Sequence, residues 1–321
     1  MPAMATSRKV VYAALAANLA IAFIKFVAAA ITGSSAMLSE AVHSLVDTIN
    51  EVLLLHGMQR AARSPDIAHP LGYGRELYFW SFIVALLVLA LGAGVSLYEG
   101  VNHILNPEPM ERALINYLVL GASFVFEAAS WWIELQAFRL AKGKQGYFAA
   151  FRASKDPSTF TVLFEDSAAL VGLLIAAVGI IAAQLLGMPQ LDGVASIGIG
   201  LVLVVSSMLL ARETKALLIG EAADPEVRET ILRIAAADPE IRGANGVFTV
   251  QLGPNQVLAA LSAEFNDDLN TTQVEHCVSR VEAAIKQALP DVTTLFVKPQ
   301  TAETWQRRIA LLATRQQENG G

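Results

Sequence analysis

The stretch that decides the fold reads Ser35-Ala36-Met37-Leu38-Ser39-Glu40-Ala41-Val42-His43-Ser44-Leu45-Val46-Asp47-Thr48-Ile49-Asn50-Glu51. From Glu40 to His43 is three residues, from His43 to Asp47 four, and from Asp47 to Asn50 and Glu51 three and four. On a helix with 3.6 residues per turn these positions share one face. Most of the other positions are apolar or small. The segment therefore reads as a membrane-crossing helix with one polar face. Ionisable side chains inside a span are costly and mark function by default.

The rest of the chain supports a membrane setting. It has 321 residues, 54% of them apolar and 16% charged, with a mean hydropathy of +0.48. Soluble chains run near a quarter charged, so an ordinary soluble enzyme is disfavoured. The length allows one to three domains. A net charge of −6 carries no basic surplus for neutralising phosphates, so no nucleic-acid partner is expected. One cysteine, Cys277, excludes an internal disulfide framework and a cysteine-built metal cluster.

A bilayer-spanning helix needs about 20 mostly apolar residues. Six segments qualify, at roughly 10–31, 36–58, 77–103, 113–138, 159–186 and 192–217. The first is too long for a signal-peptide core and reads as a retained span. With the N-terminus on the cytoplasmic side, that side holds Arg8, Lys9, Arg60, Arg63, Arg75, Arg139, Lys142, Lys144, Arg152, Lys155, Arg212 and Lys215, and the other side Arg112 alone. Positive residues collect on the cytoplasmic side, so an integral protein of the cell (inner) membrane with both termini in the cytoplasm is expected.

Residues 219–321 read differently. Nine basic and fourteen acidic residues give them a local charge of −5. Asp224-Pro225-Glu226 opens a helix to about Ala237. Gly246–Leu252 alternates as a strand, Gly253-Pro254-Asn255 marks a turn, and Gln256–Phe265 is a second strand. Asn270-Thr271-Thr272 caps a helix to Leu289, and Thr293–Val297 is a third strand. This is a small α+β unit compatible with a ferredoxin-like arrangement, complete or incomplete. Ala302–Arg315 is expected as an amphipathic tail helix and Gln316–Gly321 as disordered. The domain reading is 1–218 for a six-helix transmembrane unit, 219–300 for the cytoplasmic α+β unit and 301–321 for a tail.

The fifth predicted span carries Phe164-Glu165-Asp166-Ser167 between apolar runs. An imidazole and carboxylates converging between helices make a site of N and O ligands that suits Zn²⁺, with Mn²⁺, Fe²⁺, Co²⁺ or Ni²⁺ open. The alternative for His43 and Asp47 is a structural pair between helices. Glu165 and Asp166 point about 100° apart, and spacing does not say which faces the site. Glu40 and Glu51 read equally as ligand-adjacent or as solvated capping groups. Lys25 and Asn18 read as counter-charges or, for Lys25, as a snorkelling side chain. Glu127 and Glu134 face a water path or the headgroup zone. Of the five histidines, His56 reads as structural, His103 with Glu99 as a surface pair, and His276 as a helix-surface residue.

Several segments, in order, resemble the cation diffusion facilitators. Ser34–Asp47 is similar to that family's second-span signature with its HxxxD metal pair. His69-Pro70-Leu71-Gly72-Tyr73-Gly74-Arg75-Glu76 resembles the loop entering span three, and Leu97-Tyr98-Glu99-Gly100 the end of that span. Glu165-Asp166-Ser167-Ala168-Ala169-Leu170-Val171-Gly172 resembles the fifth span, and Asp192 and Ser196 begin a sixth of the familiar kind. The resemblance covers about residues 8–300. It implies a homodimeric transporter, not an enzyme, that exports divalent metal in exchange for protons and needs no cofactor besides the transported ion. His43, Asp47 and Asp166 match the family's ligands. Its fifth-span histidine falls at Val162, which cannot ligate, so water or Glu165 is expected in the fourth position and strict zinc selectivity is in question. The cytoplasmic unit keeps one histidine, His276, and is expected to dimerise with little or no metal regulation. The reading leaves two other functions: a membrane metal sensor or scaffold without net transport, and an intramembrane metallohydrolase.

Overall fold

The structure, a computed structural model, describes residues 3–107, 112–143, 146–147, 150–151 and 154–318. It consists of two compact units.

The first unit comprises Met1–Ala61 and Glu76–Lys215 and is helical. Helices α1 (Ala3–Thr32) and α2 (Ser35–Ala61) are followed by α3 (Arg75–Leu87), a π-helical turn at Val88–Ala93 and α4 (Gly94–Leu105). Then come α5 (Ala113–Lys142), α6 (Pro157–Leu186) and α7 (Gln190–Ile219). The α1–α2 break falls at Gly33, whose φ of 68° suits glycine. The Ser34 hydroxyl there accepts from the Met37 N–H at 3.1 Å, an N-cap that satisfies one orphan donor of α2.

Helix α1 packs on α2 and α5, α5 on α6, and α2 on α6, α4 and the π turn. The core is dominated by small and medium residues, among them Ala28, Ala36, Val46, Ala168, Ala176, Ile180, Ile199 and Leu203. Small residues let helix backbones approach closely where apolar burial gives no net drive. Large apolar side chains point outward, including Phe23, Val125, Val178, Leu185 and Val205, as a lipid-facing surface requires.

Four helical stretches are long and apolar enough to cross a membrane: Arg75–Leu105, Leu114–Leu140, Phe160–Leu186 and Gln190–Ile219. Within α1, Asn18–Thr32 is a shorter apolar helical stretch. Helix α2 has 27 residues, about 40 Å at 1.5 Å per residue, which is long enough. Its average hydropathy is lowered by the polar face that singled it out. The third expected span is helical from Arg75 to Leu105, its hydrogen-bonding pattern interrupted by the π turn, a device frequent at functional sites.

The second unit comprises Ala62–Arg75 and Ala216–Gly321. It holds α8 (Pro225–Ala236), β1 (Ile241–Gly253), β2 (Gln256–Phe265), α9 (Thr271–Ala288), β3 (Val292–Pro299) and α10 (Ala302–Glu318). The order helix, strand, strand, helix, strand is the one expected. The sheet runs β1-β2-β3, with β1 and β2 antiparallel and β2 and β3 parallel. It has three strands, as a ferredoxin-like βαββαβ unit would without its first.

Asp224 caps α8 through the Glu226 N–H at 2.9 Å, and Asn270 with Gln273 forms a reciprocal capping box on α9. Val257, Ala259, Leu261 and Ala263 alternate inward along β2 and meet Ile231, Ala235, Val281 and Ile285 from the helices. Helix α10 extends through Glu318, so Gln316–Glu318 are helical and not disordered as expected. Residues 319–321 lie outside the described residues. The α2–α3 loop belongs to this unit. A Cβ on Gly74 would sit 2.5 Å from both the Leu252 carbonyl and the Gln256 side chain, so the loop backbone lies directly on the β1–β2 turn.

Candidate metal site

The polar face of α2 is anchored from outside the helix. The Asp192 carboxylate on α7 accepts from the Ser34 hydroxyl at 2.9 Å and from the Ser35 and Ala36 N–H groups at 2.6 and 3.3 Å. A carboxylate at a helix N-terminus satisfies orphan donors and complements the dipole. His103 places Nε2 3.9 Å from the same carboxylate. The expected surface pair of His103 with Glu99 is thus corrected: His103 is buried and its partner is Asp192, 89 residues away in sequence.

One turn further in, Lys25 of α1 and Glu40 of α2 are both fully buried and lie 3.3 Å apart. Lys25 also donates to the Ser44 hydroxyl at 2.7 Å. Lys25 therefore does not snorkel and Glu40 is not solvated. A side chain on Gly172 of α6 would collide with Glu40 Oε1, so this glycine lets α6 close against the pair.

Next on the face come His43 and Asp47. His43 is 1% exposed, and its Nδ1 lies 3.4 Å from Asp47 Oδ1. Both ring nitrogens of His43 and Oδ1 of Asp47 are buried without a hydrogen-bond partner. Buried polar atoms are almost always partnered, so an orphaned imidazole beside an orphaned carboxylate oxygen marks a place built for something else.

Helix α6 brings two acids to the same region. The Asn50 amide donates to Glu165 Oε1 at 2.8 Å, and the Asn18 amide donates to Glu51 Oε1 at 2.6 Å. Asp166 faces Ser130 and Glu134 of α5, and its Oδ2 and Glu134 Oε2 are again orphaned. Trp131 of α5 donates to the Ser167 hydroxyl at 2.9 Å, fixing α5 against α6. A cavity of about 30 Å³ is lined by Asn18, Ile21, Ser44, Asp47, Glu51, Glu127, Val162, Glu165 and Asp166. That is room for about one water or one bare cation.

Of the four residues singled out in sequence, Asp47, Glu165 and Asp166 line this cavity. His43 does not, but reaches it through Asp47. Both fifth-span acids reach the wall, which the 100° argument disfavoured; a wall that curves around a helix meets both. Their ligand atoms are not drawn into a tight cluster. Among the described residues the one group with all ligand atoms within 4.8 Å of each other is Asp238, Glu240 and Cys277 in the second unit.

There Arg280 already supplies the cation. It donates to Asp238 at 3.0 Å through two nitrogens and to Glu240 at 2.7 Å. These bonds hold the Asp238 carboxyl below its usual range. Burial, followed by the hydrogen bond to Asp238, pushes the Cys277 thiol up to about 12.

The other sequence features resolve structurally. His56 meets Trp80 edge-on with centroids 4.9 Å apart, and His276 is exposed. In the His69–Arg75 loop, Asp66 accepts from the His69 N–H at 2.7 Å and the Tyr73 hydroxyl at 2.6 Å, which folds the loop on itself. In the basic, aromatic segment between α5 and α6, Lys144, Phe148 and Arg152 lie outside the described residues. Phe151 is buried against Phe160 and Phe164.

A family model described as the cation efflux transmembrane domain matches residues 11–219. The chain belongs to the cation efflux family. It is 36% identical over 261 residues to a protein of Mus musculus named proton-coupled zinc antiporter SLC30A9, mitochondrial, covering 80% of this chain and 46% of that one. It is 29% identical over 265 residues to metal tolerance protein C4 of Arabidopsis thaliana, covering 82% and 58%. It is 27% identical over 287 residues to the cation-efflux pump FieF of Cronobacter sakazakii, covering 88% and 90%. The chain thus spans a little under half of the zinc antiporter and nearly all of the pump. These relatives are named as transporters, and none of the names carries an enzyme activity or a cofactor. The family match and the apolar helices make this a membrane protein of the cation efflux family, as the motifs of α2 and α6 suggested.

Proposed function

We propose that the chain is an efflux transporter for a divalent metal, Zn²⁺ first among candidates, with Mn²⁺, Fe²⁺, Co²⁺ or Ni²⁺ also accommodated. It crosses the membrane six times, with α1 and α2 as the two spans that hydropathy alone undercounts. His43, Asp47 and Asp166 hold the metal in transit, and Glu165 borders it under the control of Asn50. The single observation that carries this reading is the set of orphaned buried atoms at His43, Asp47 and Asp166 beside a cation-sized cavity.

Ligands must be deprotonated to bind metal, so one set of side chains holds either a cation or protons. Alternating access then couples metal leaving to protons returning. The chain works as a homodimer in the cell (inner) membrane, with both termini and the α+β unit cytoplasmic, as the distribution of Lys and Arg suggests.

Flux in proteoliposomes tests the function. Zinc uptake is expected to rise with an imposed pH gradient and to move protons the opposite way. Metal flux indifferent to the gradient would sink the exchange. Full transport by Asp47→Ala or Asp166→Ala would sink the ligand assignment.

A further inference from the structure

The proposed site is one ligand short. A zinc-like ion takes four ligands; His43 and Asp47 of α2 and Asp166 of α6 give three. The fourth would come from position 162, where Val162 lines the cavity with hydrocarbon. Three more carboxylates border the same cavity: Glu51, Glu127 and Glu165. Two are committed. Glu51 accepts the Asn18 amide at 2.6 Å and Glu165 the Asn50 amide at 2.8 Å. Glu127 is half-buried on a third helix, α5, and shares the cavity wall with both Asp47 and Asp166. Each of those partners presents a buried oxygen with no hydrogen bond.

We propose that Glu127 supplies the fourth ligand, so that the ion is held by α2, α5 and α6 together. This inference rests on the transport-site reading above and goes beyond it. Replacing an imidazole by a carboxylate changes the donor set from two nitrogens and two oxygens to one nitrogen and three oxygens. Oxygen-rich sets suit harder ions. The site therefore accepts Mn²⁺ or Fe²⁺ alongside Zn²⁺ more readily than a two-imidazole site would. Placing one ligand on α5 also makes ion binding draw α5 toward α2, a coupling that ligands on α2 and α6 alone would not give.

The test uses the full-length protein in lipid nanodiscs, titrated with Zn²⁺ and with Mn²⁺, with flux in proteoliposomes beside it. Glu127→Gln is expected to weaken both ions by at least about 10- to 100-fold, the range reached when even outer partners of a metal site are removed. Glu165→Gln is expected to weaken them less. Val162→His added to Glu127→Gln is expected to restore Zn²⁺ more than Mn²⁺. Glu127→Asp, which keeps the charge, covers the case in which the amide does not fold; it is expected to bind more weakly than the native protein while eluting as the same species.

Glu127→Gln binding like the native protein overturns the assignment. So does a loss carried by Glu165→Gln with Glu127→Gln silent, or a loss that Val162→His leaves untouched for Zn²⁺. Asp47→Ala measured in the same series separates the two levels. If Asp47→Ala binds and transports normally, the underlying site is wrong; if Asp47→Ala is dead and Glu127→Gln is silent, only the role of Glu127 is.

Discussion

The two units each contain a cluster of acids, and the clusters differ in what neutralises them. In the second unit Asp238 and Glu240 share the fixed guanidinium of Arg280, and every close group is hydrogen-bonded. In the first unit Asp47, Glu51, Glu127, Glu165 and Asp166 crowd one small cavity. Lys25, the one buried Lys or Arg among the described residues, is engaged by Glu40 and Ser44. The tighter cluster, by ligand-atom distance, is the one already filled by a side chain. The looser one keeps orphaned atoms. Proximity of acids alone points to the second unit, whereas the state of their hydrogen bonds favours the proposed site in the first.

Substitutions can break that contrast from either side. The largest effect is expected at Asp47: Asp47→Asn keeps the shape and is expected to cut metal flux by more than about 100-fold, since it removes a proposed ligand, and even outer partners of a metal site are worth about 10- to 100-fold. Vesicle flux against a folded control checks it. Lys25→Ala comes next. It leaves Glu40 buried without its partner, which costs on the order of 3–5 kcal/mol. Thermal unfolding in detergent is expected to show a large drop, and Lys25→Met with Glu40→Gln is expected to recover most of it, because paired removal leaves no buried charge.

Arg280→Met sharpens the contrast in the opposite direction. It strips the cation from Asp238 and Glu240 and is expected to create one extra, weak divalent-ion site per chain, with Kd on the order of 10⁻⁴ to 10⁻³ M. A titration of the native protein and the variant measures the difference. The smallest effect concerns Cys277. With its thiol pushed up to about 12, almost no thiolate exists at pH 8, and the thiolate is the nucleophile. Mass spectrometry is expected to find Cys277 unmodified by iodoacetamide in the native protein and modified after denaturation.

Much of this was legible in the sequence where one helix or strand speaks for itself. The spacing of Glu40, His43, Asp47 and Asn50 put them on one face, and they are on one face. Asp224 and Asn270 announced helix starts that the structure places within a residue. Gln256–Phe265 read as a strand and forms the central one. What was hidden depends on how helices rotate against each other. Nothing local in His103 points to Asp192, and nothing in Lys25 distinguishes a snorkelling end from a buried partner of Glu40. Helix α2 reads as a span in sequence, but it is not among the four helices apolar enough to cross a membrane, because its polar face lowers its hydropathy. Glu127 was visible only as one more acid in an apolar run; the cavity it shares with Val162 gives it a role.

The most direct measurement is a metal-loaded structure of the full chain, with the ion located by anomalous scattering. One peak is expected between α2, α5 and α6, about 2.0–2.2 Å from a nitrogen of His43 and from oxygens of Asp47 and Asp166, and none at Asp238 and Glu240. A peak at Asp238 and Glu240 with none near Asp47 would contradict the account.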